Sequence, residues 1–80
     1  MSDVSDRLAK CFAAVFPRLS AAEILRANVN SVSAWDSLAT LTLAGLIEEE
    51  FSVVIDPRDR KELISFDLLL DYLKTEKHVS

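Results

Sequence analysis

Eighty residues, half of them hydrophobic, are enough for one small core and too apolar for a disordered chain. A single cysteine, Cys11, excludes an internal disulfide framework, and no apolar run reaches the roughly 18 residues of a membrane span. Thirteen acids against nine bases give a net charge of −4, and residues 28–80 hold ten of the acids with five of the bases. That excess argues against nucleic acid as a partner and favours basic protein surfaces through steering, beyond the plain benefit to solubility. The opening "MSDVSDRLAK" has no apolar core of a signal peptide, so a cytoplasmic protein of one domain, 1–80, is expected.

The first helix is expected over residues 2–16. Val4, Leu8, Phe12, Val15 and Phe16 recur at threes and fours with Cys11 beside them, Ser2 or Asp3 offers a cap, and Pro17 marks the stop. Cys11 has no histidine near it in sequence, which makes it a buried structural thiol. Residues 17–35 form a long connection. Within it Ser20 and Glu23 have the spacing of a capping box, so a short helix over 21–27 is expected, with Ile24 and Leu25 turned inward. Asn28, Asn30, Ser31 and Ser33 favour turns, and Val29 and Val32 are the residues available to pin the loop to the core.

The second full helix is expected over 36–50, capped by Asp36, or a turn earlier by Ser33. Leu38, Leu41, Ala44, Ile47 and Phe51 make an inward stripe that Leu43 and Leu46 widen. Gly45, in mid-helix, costs about 1 kcal/mol against alanine, which close approach of another helix or a ligand would justify. Glu48, Glu49 and Glu50 stand at the end where the helix dipole disfavours acids, so a partner-facing acidic patch is expected there. Val53 to Ile55 has strand character but no second strand to pair with and reads as a linker. A short helix over 58–63 follows Pro57, and a last helix over 66–75, opened by Ser65 or Asp67, turns Phe66, Leu69, Leu70, Tyr72 and Leu73 inward before a flexible tail at 76–80. The expected fold is all-α: a small bundle of three main helices with one or two short ones.

Most site chemistries are missing. One histidine, His78, and one cysteine make no metal-ligand cluster, one glycine makes no phosphate loop, and no histidine stands near a candidate nucleophile. What remains is Ser37, a hydroxyl at a helix start among backbone N–H groups that favour anions. Taken alone it reads first as an ordinary first-turn serine.

The stretch "WDSLATLTLAGLIEEEFSVVID" resembles the acyl carrier protein family. The shared pattern is Asp36-Ser37-Leu38 at the head of the second helix, the hydrophobic run from Leu41 to Ile47, Glu48 to Phe51, and Ile55. Helix order, the long first loop and the closing "FDLLLDYL" extend the likeness over nearly the whole chain. The resemblance implies an acyl-carrier-like bundle whose Ser37 bears a 4′-phosphopantetheine arm transferred from coenzyme A, with Asp36 orienting the modification and Leu38, Glu48 and Glu49 read by partners. Those partners would be a phosphopantetheinyl transferase, an acyl-activating enzyme or ligase, and synthases or acyltransferases with basic docking surfaces. The chain itself would be a monomer and not an enzyme, carrying thioesters for fatty acid, specialised lipid or polyketide synthesis. An aminoacyl or peptidyl carrier of the same fold, or an unmodified helical interaction module, are the alternatives. Where fatty-acid members usually have glycine before Asp-Ser-Leu this chain has Ala34 and Trp35, and where they carry acids on the second helix it has Ala39 and Thr42. Both departures point to a dedicated pathway as readily as to general fatty acid synthesis.

Overall fold

The three-and-four spacing of the first segment produces helix α1, Asp3–Val15, in a computed structural model that describes residues 3–79. Val4, Leu8, Cys11 and Phe12 are all buried along one face, and Phe16 continues the stripe past the helix end through a Phe16 N–H bond to the Phe12 carbonyl of 2.7 Å. Of the two candidate caps, Ser2 lies outside the described residues. Helix α2, Ala21–Leu25, is a single turn held by its capping box: Ser20 N–H donates to Glu23 Oε1 at 2.8 Å and Glu23 N–H to Ser20 Oγ at 3.2 Å. These bonds hold the Glu23 carboxyl below its ordinary range, the bond with the Ser20 backbone most of all. One turn offers one apolar position to the core. Ile24 takes it, and Leu25, expected inward, is exposed.

The connection from α2 to the next helix is tied down by polar bonds. Asn28 Oδ1 accepts the N–H groups of Asn30 (2.8 Å) and Ser31 (3.0 Å), and Val32, but not Val29, is buried. Val29 N–H donates to the Ile64 carbonyl and Phe66 N–H to the Ala27 carbonyl, both at 3.0 Å, forming an isolated antiparallel bridge between Asn28 and Ser65. Among the described residues there is no sheet, and Val53 to Ile55 is a linker with Ile55 buried and Val54 exposed.

Helix α3, Ser37–Phe51, buries Leu43, Ala44, Ile47 and Phe51. The expected inward stripe is therefore wrong in its first half, because Leu38 is 72% and Leu41 49% exposed. Apolar residues surround this helix, so spacing alone could not choose its inner face. The close approach of another helix expected at Gly45 is also overturned, since a Cβ there would meet no protein atom within 4 Å among the described residues. At its C-terminus the acids are largely absorbed within the chain. Arg7 Nε donates to Glu50 Oε2 at 2.7 Å, its guanidinium also bonds the Glu50 carbonyl, and it lies 4.5 Å from the Phe51 ring centroid. Glu48 accepts the Ile55 N–H at 2.7 Å. The helix stops at Ser52 in the left-handed conformation, φ 54° and ψ 45°.

A 3₁₀ helix, Pro57–Glu62, follows, with Asp56 capping it through the Arg58 N–H (2.9 Å). Helix α4, Phe66–Thr75, is opened by Ser65 rather than Asp67, with Ser65 Oγ accepting the Leu68 N–H at 3.1 Å. Phe66, Leu69, Tyr72 and Leu73 are buried, and the Tyr72 hydroxyl donates to Asp59 Oδ2 at 2.8 Å, fastening the 3₁₀ segment to α4. Beyond α4 the chain turns back, with Val79 N–H bonded to the Leu73 carbonyl at 3.0 Å. The helices α2, α3 and α4 all lie against α1. The fold is thus all-α, three main helices with short ones between them, and no helix among the described residues is long and apolar enough to cross a membrane.

The core is organised around Phe12. Its ring centroid lies 5.2 Å from Phe66 and 5.4 Å from Trp35, both edge-on, and 6.2 Å from Phe16. Beside this cluster burial, and next to it the Glu50 charge, push the Cys11 thiol up to about 11.

Two measurements follow from this packing. Ser52→Gly relieves a left-handed residue and is expected to raise stability in urea unfolding by about 1 kcal/mol. Cys11 holds its proton more tightly folded than unfolded, so its contribution to stability is complete below the unfolded thiol's range and is lost as pH rises toward about 11. Alkylation by iodoacetamide at pH 8 should accordingly be slow in the native protein and fast once urea unfolds it, monitored by mass.

Candidate functional site

The start of α3 is built from one aromatic side chain outward. Trp35 is buried against Phe12 and against Phe16, at 5.5 Å between centroids in the second case. A buried indole needs a partner for its N–H, and Trp35 Nε1 donates to Thr40 Oγ1 at 2.9 Å. The Thr40 hydroxyl in turn donates to the Asp36 carbonyl at 3.0 Å, which also accepts the Thr40 N–H at 2.9 Å. Asp36 is extended (φ −105°, ψ −173°) and its Oδ1 accepts the Ala39 N–H at 2.8 Å. The choice between Ser33 and Asp36 as cap is thereby settled for Asp36. Core, indole, threonine and cap form one continuous chain of contacts, and the next residue along the backbone is Ser37.

Ser37 is the first residue of α3 and is exposed. Its hydroxyl makes no hydrogen bond among the described residues, whereas the hydroxyls of Thr40 and Thr42 each bond back to a helix carbonyl. With the Ala39 amide taken by Asp36, the amides of Ser37 and Leu38 precede the first intrahelical bond and point out of the helix end. A negative group on Ser37 therefore lies at the favourable end of a 15-residue helix. Leu38 projects into solvent beside it, with Leu41 one turn on.

A cleft of about 260 Å³ opens at this point, lined by Ser37, Thr40, Leu41 and Arg60. It lies between α3 and the 3₁₀ segment. A larger cleft, about 410 Å³, lies between the end of α1 and the long loop, with Val15, Phe16, Leu19, Val32 and Ala34 among its walls, and Ser37 takes no part in it.

The remaining expected recognition residues are not at this end. Eleven residues of helix place Glu48 roughly 16 Å from Ser37. Glu48 is half-buried, its backbone carbonyl accepts the Ser52 and Val53 N–H groups, and its carboxylate accepts that of Ile55. Glu49 is exposed. The structure thus brings Asp36, Ser37 and Leu38 together, sets Glu49 on the surface at the far end of the same helix, and gives Glu48 a loop-forming role. Thr40 and Arg60 went unread in the sequence. A threonine five residues after a tryptophan has no helical signature, and an arginine in a short basic segment has no signal without its neighbour across the cleft. Among the described residues, no three or more His, Cys, Asp or Glu side chains gather as a metal site.

No family model matches the chain, and no curated protein or solved structure matches it either.

Charge reversal separates the acids. Glu48→Lys removes the acceptor of a buried residue's N–H and should cost about 1–3 kcal/mol. Glu48→Gln retains an amide oxygen and should cost less, and Glu49→Lys should stay within about 0.5 kcal/mol of the parent. Urea denaturation of the three variants measures this.

Proposed function

We propose that this chain is a carrier protein, whose Ser37 hydroxyl takes a 4′-phosphopantetheine arm from coenzyme A and whose role is to present acyl groups to partner enzymes. The single observation that carries the reading is Ser37 itself: an exposed, uncommitted hydroxyl at the first position of a long helix, in the sequence Asp36-Ser37-Leu38. The all-α arrangement, with the long loop preceding this helix, supports the same reading through its compatibility with an acyl-carrier-like fold.

The residues present fit such a group. Ser37 is reachable from solvent, its helix end tolerates a phosphodiester anion, and a cleft opens beside it. When bound, the arm supplies a terminal thiol on which acyl groups are held as thioesters. The chain's own residues do the positioning. Asp36 is held in place as the cap of α3, and the Trp35–Thr40 bond fixes the backbone on which Ser37 stands. A tethered cargo gains effective concentration near each partner without any bond-making by the carrier.

In this reading the transferase and the acyl-handling enzymes meet a surface centred on Ser37 and the exposed Leu38 and Leu41. Apolar side chains open to solvent beside a reactive position suit a docking contact. Glu49 is the acid available to a basic partner, since Glu50 is paired with Arg7 and Glu48 with the following loop. Steering by the net charge of −4 adds to the encounter rate at low salt.

Incubation with coenzyme A and a broad-specificity phosphopantetheinyl transferase should add the mass of one phosphopantetheine. Peptide mapping should place it on Ser37. Ser37→Ala should remain unmodified and folded by circular dichroism, because the cap is Asp36. An unmodified parent protein, or a modified Ser37→Ala, would make an interaction module without an arm the better account.

A further inference from the structure

The cleft at the head of α3 contains one cation, and it comes from a different element. Arg60 belongs to the 3₁₀ segment, yet it lines the same cleft of about 260 Å³ as Ser37, Thr40 and Leu41. Two neighbouring polar side chains on this segment are already committed. Arg58 is paired with Asp56, at 3.3 Å for both Nε to Oδ1 and the terminal nitrogen to Oδ2, and Asp59 accepts the Tyr72 hydroxyl. Arg60 has no side-chain hydrogen bond or ion pair among the described residues. Its backbone carbonyl accepts the Leu63 N–H at 2.9 Å, so the residue's main chain is fixed while its guanidinium has no partner among the described residues. The Asp59–Tyr72 bond fastens the segment to α4, which keeps Arg60 on the Ser37 side without any contact between Arg60 and α3 being required.

Resting on the carrier reading, we propose that Arg60 seats the arm attached to Ser37. The guanidinium pairs with the phosphodiester anion, and Leu41 with the methyl of Thr40 contacts the aliphatic portion that follows it. The occupant is chosen by charge and by tether. A phosphodiester carries one negative charge, the cleft holds one guanidinium that is unpaired among the described residues, and arginine matches phosphate oxygens with paired donors that lysine lacks. A group bonded to Ser37 Oγ is held at the cleft's own wall, so the pairing is intramolecular and needs little intrinsic affinity. A free dianionic phosphate has no such tether and is not expected to bind. The consequence is a resting arm laid along the surface between α3 and the 3₁₀ segment, released when a partner displaces it.

The test uses apo and holo forms of the parent, Arg60→Gln and Arg58→Gln. In the parent, the Arg60 Nε–Hε resonance should shift between apo and holo, and the holo form should melt higher by roughly 2–6 °C, the size expected of one partly exposed charge pair in a domain this small. Arg60→Gln should lose most of that difference and Arg58→Gln should keep it. An unmoved Arg60 resonance, or a holo–apo difference in Arg60→Gln equal to the parent's, overturns the seating of the arm while the carrier reading stands. Failure of the transferase to load Ser37 in the parent overturns the carrier reading itself. The resonance is read on the unmutated protein, so a folding defect in a variant cannot decide the outcome.

Discussion

The edge-on contact of Trp35 with Phe12 is the interaction on which the rest depends. Among the described residues, Phe12 on α1 meets Phe16 just past that helix, Trp35 of the long loop and Phe66 of α4. Each such pair contributes about 0.5–1.5 kcal/mol beyond the area it buries, and a domain of this size has roughly 5–15 kcal/mol in all. Removal of the Phe12 ring, at about 3–5 kcal/mol, would consume much of that total. The indole does a second thing that a phenyl ring could not. Its N–H reaches Thr40, and through Thr40 the core sets the position of the Asp36 carbonyl and the first turn of α3.

Helix α3 is consequently held at both ends by chemistry outside itself. At its head the Trp35–Thr40–Asp36 chain fixes where it begins. At its tail Arg7 takes up the carboxylate and carbonyl of Glu50 while stacking on Phe51, and Glu48 gathers the backbone of the turn that follows. Acids that are unfavourable beside a helix C-terminus become favourable once a cation and unpaired amides are brought to them. A side chain projecting from such a platform is displayed in a defined direction, as the carrier role proposed for Ser37 requires.

Local signals were the legible part of this chain. Ser20 with Glu23, Asp36 and Ser65 all act as caps through their own side chains and amides within three residues, so each was readable in a short window. The stripe of α1 was readable because its large apolar residues lie along one side. The same reasoning misread α3, where Leu38 and Leu41 face solvent and Leu43 is buried, because a helix apolar around its circumference has no preferred face until another helix is laid against it. Leu25 failed for a related reason, since one turn has room for only one buried side chain.

By itself, therefore, the sequence determined an all-α chain, the capping box of Ser20 with Glu23, the cap candidates of α3 and α4 to within a turn, and an Asp-Ser-Leu triplet at the head of α3, since these rest on bonds between residues a few positions apart. Tertiary structure alone decided which face of α3 meets α1, and that the acids at its end bind Arg7 and the Ile55 amide. It also decided that Trp35 is an anchor for the site's backbone and that Arg60 stands in the same cleft as Ser37. Arg7 with Glu50, Phe12 with Trp35 and Arg60 with Ser37 are far apart in the chain, while Trp35 with Thr40 and Glu48 with Ile55 are separated by five and seven positions, and none of these pairs follows a spacing that a helix, a turn or a cap prescribes.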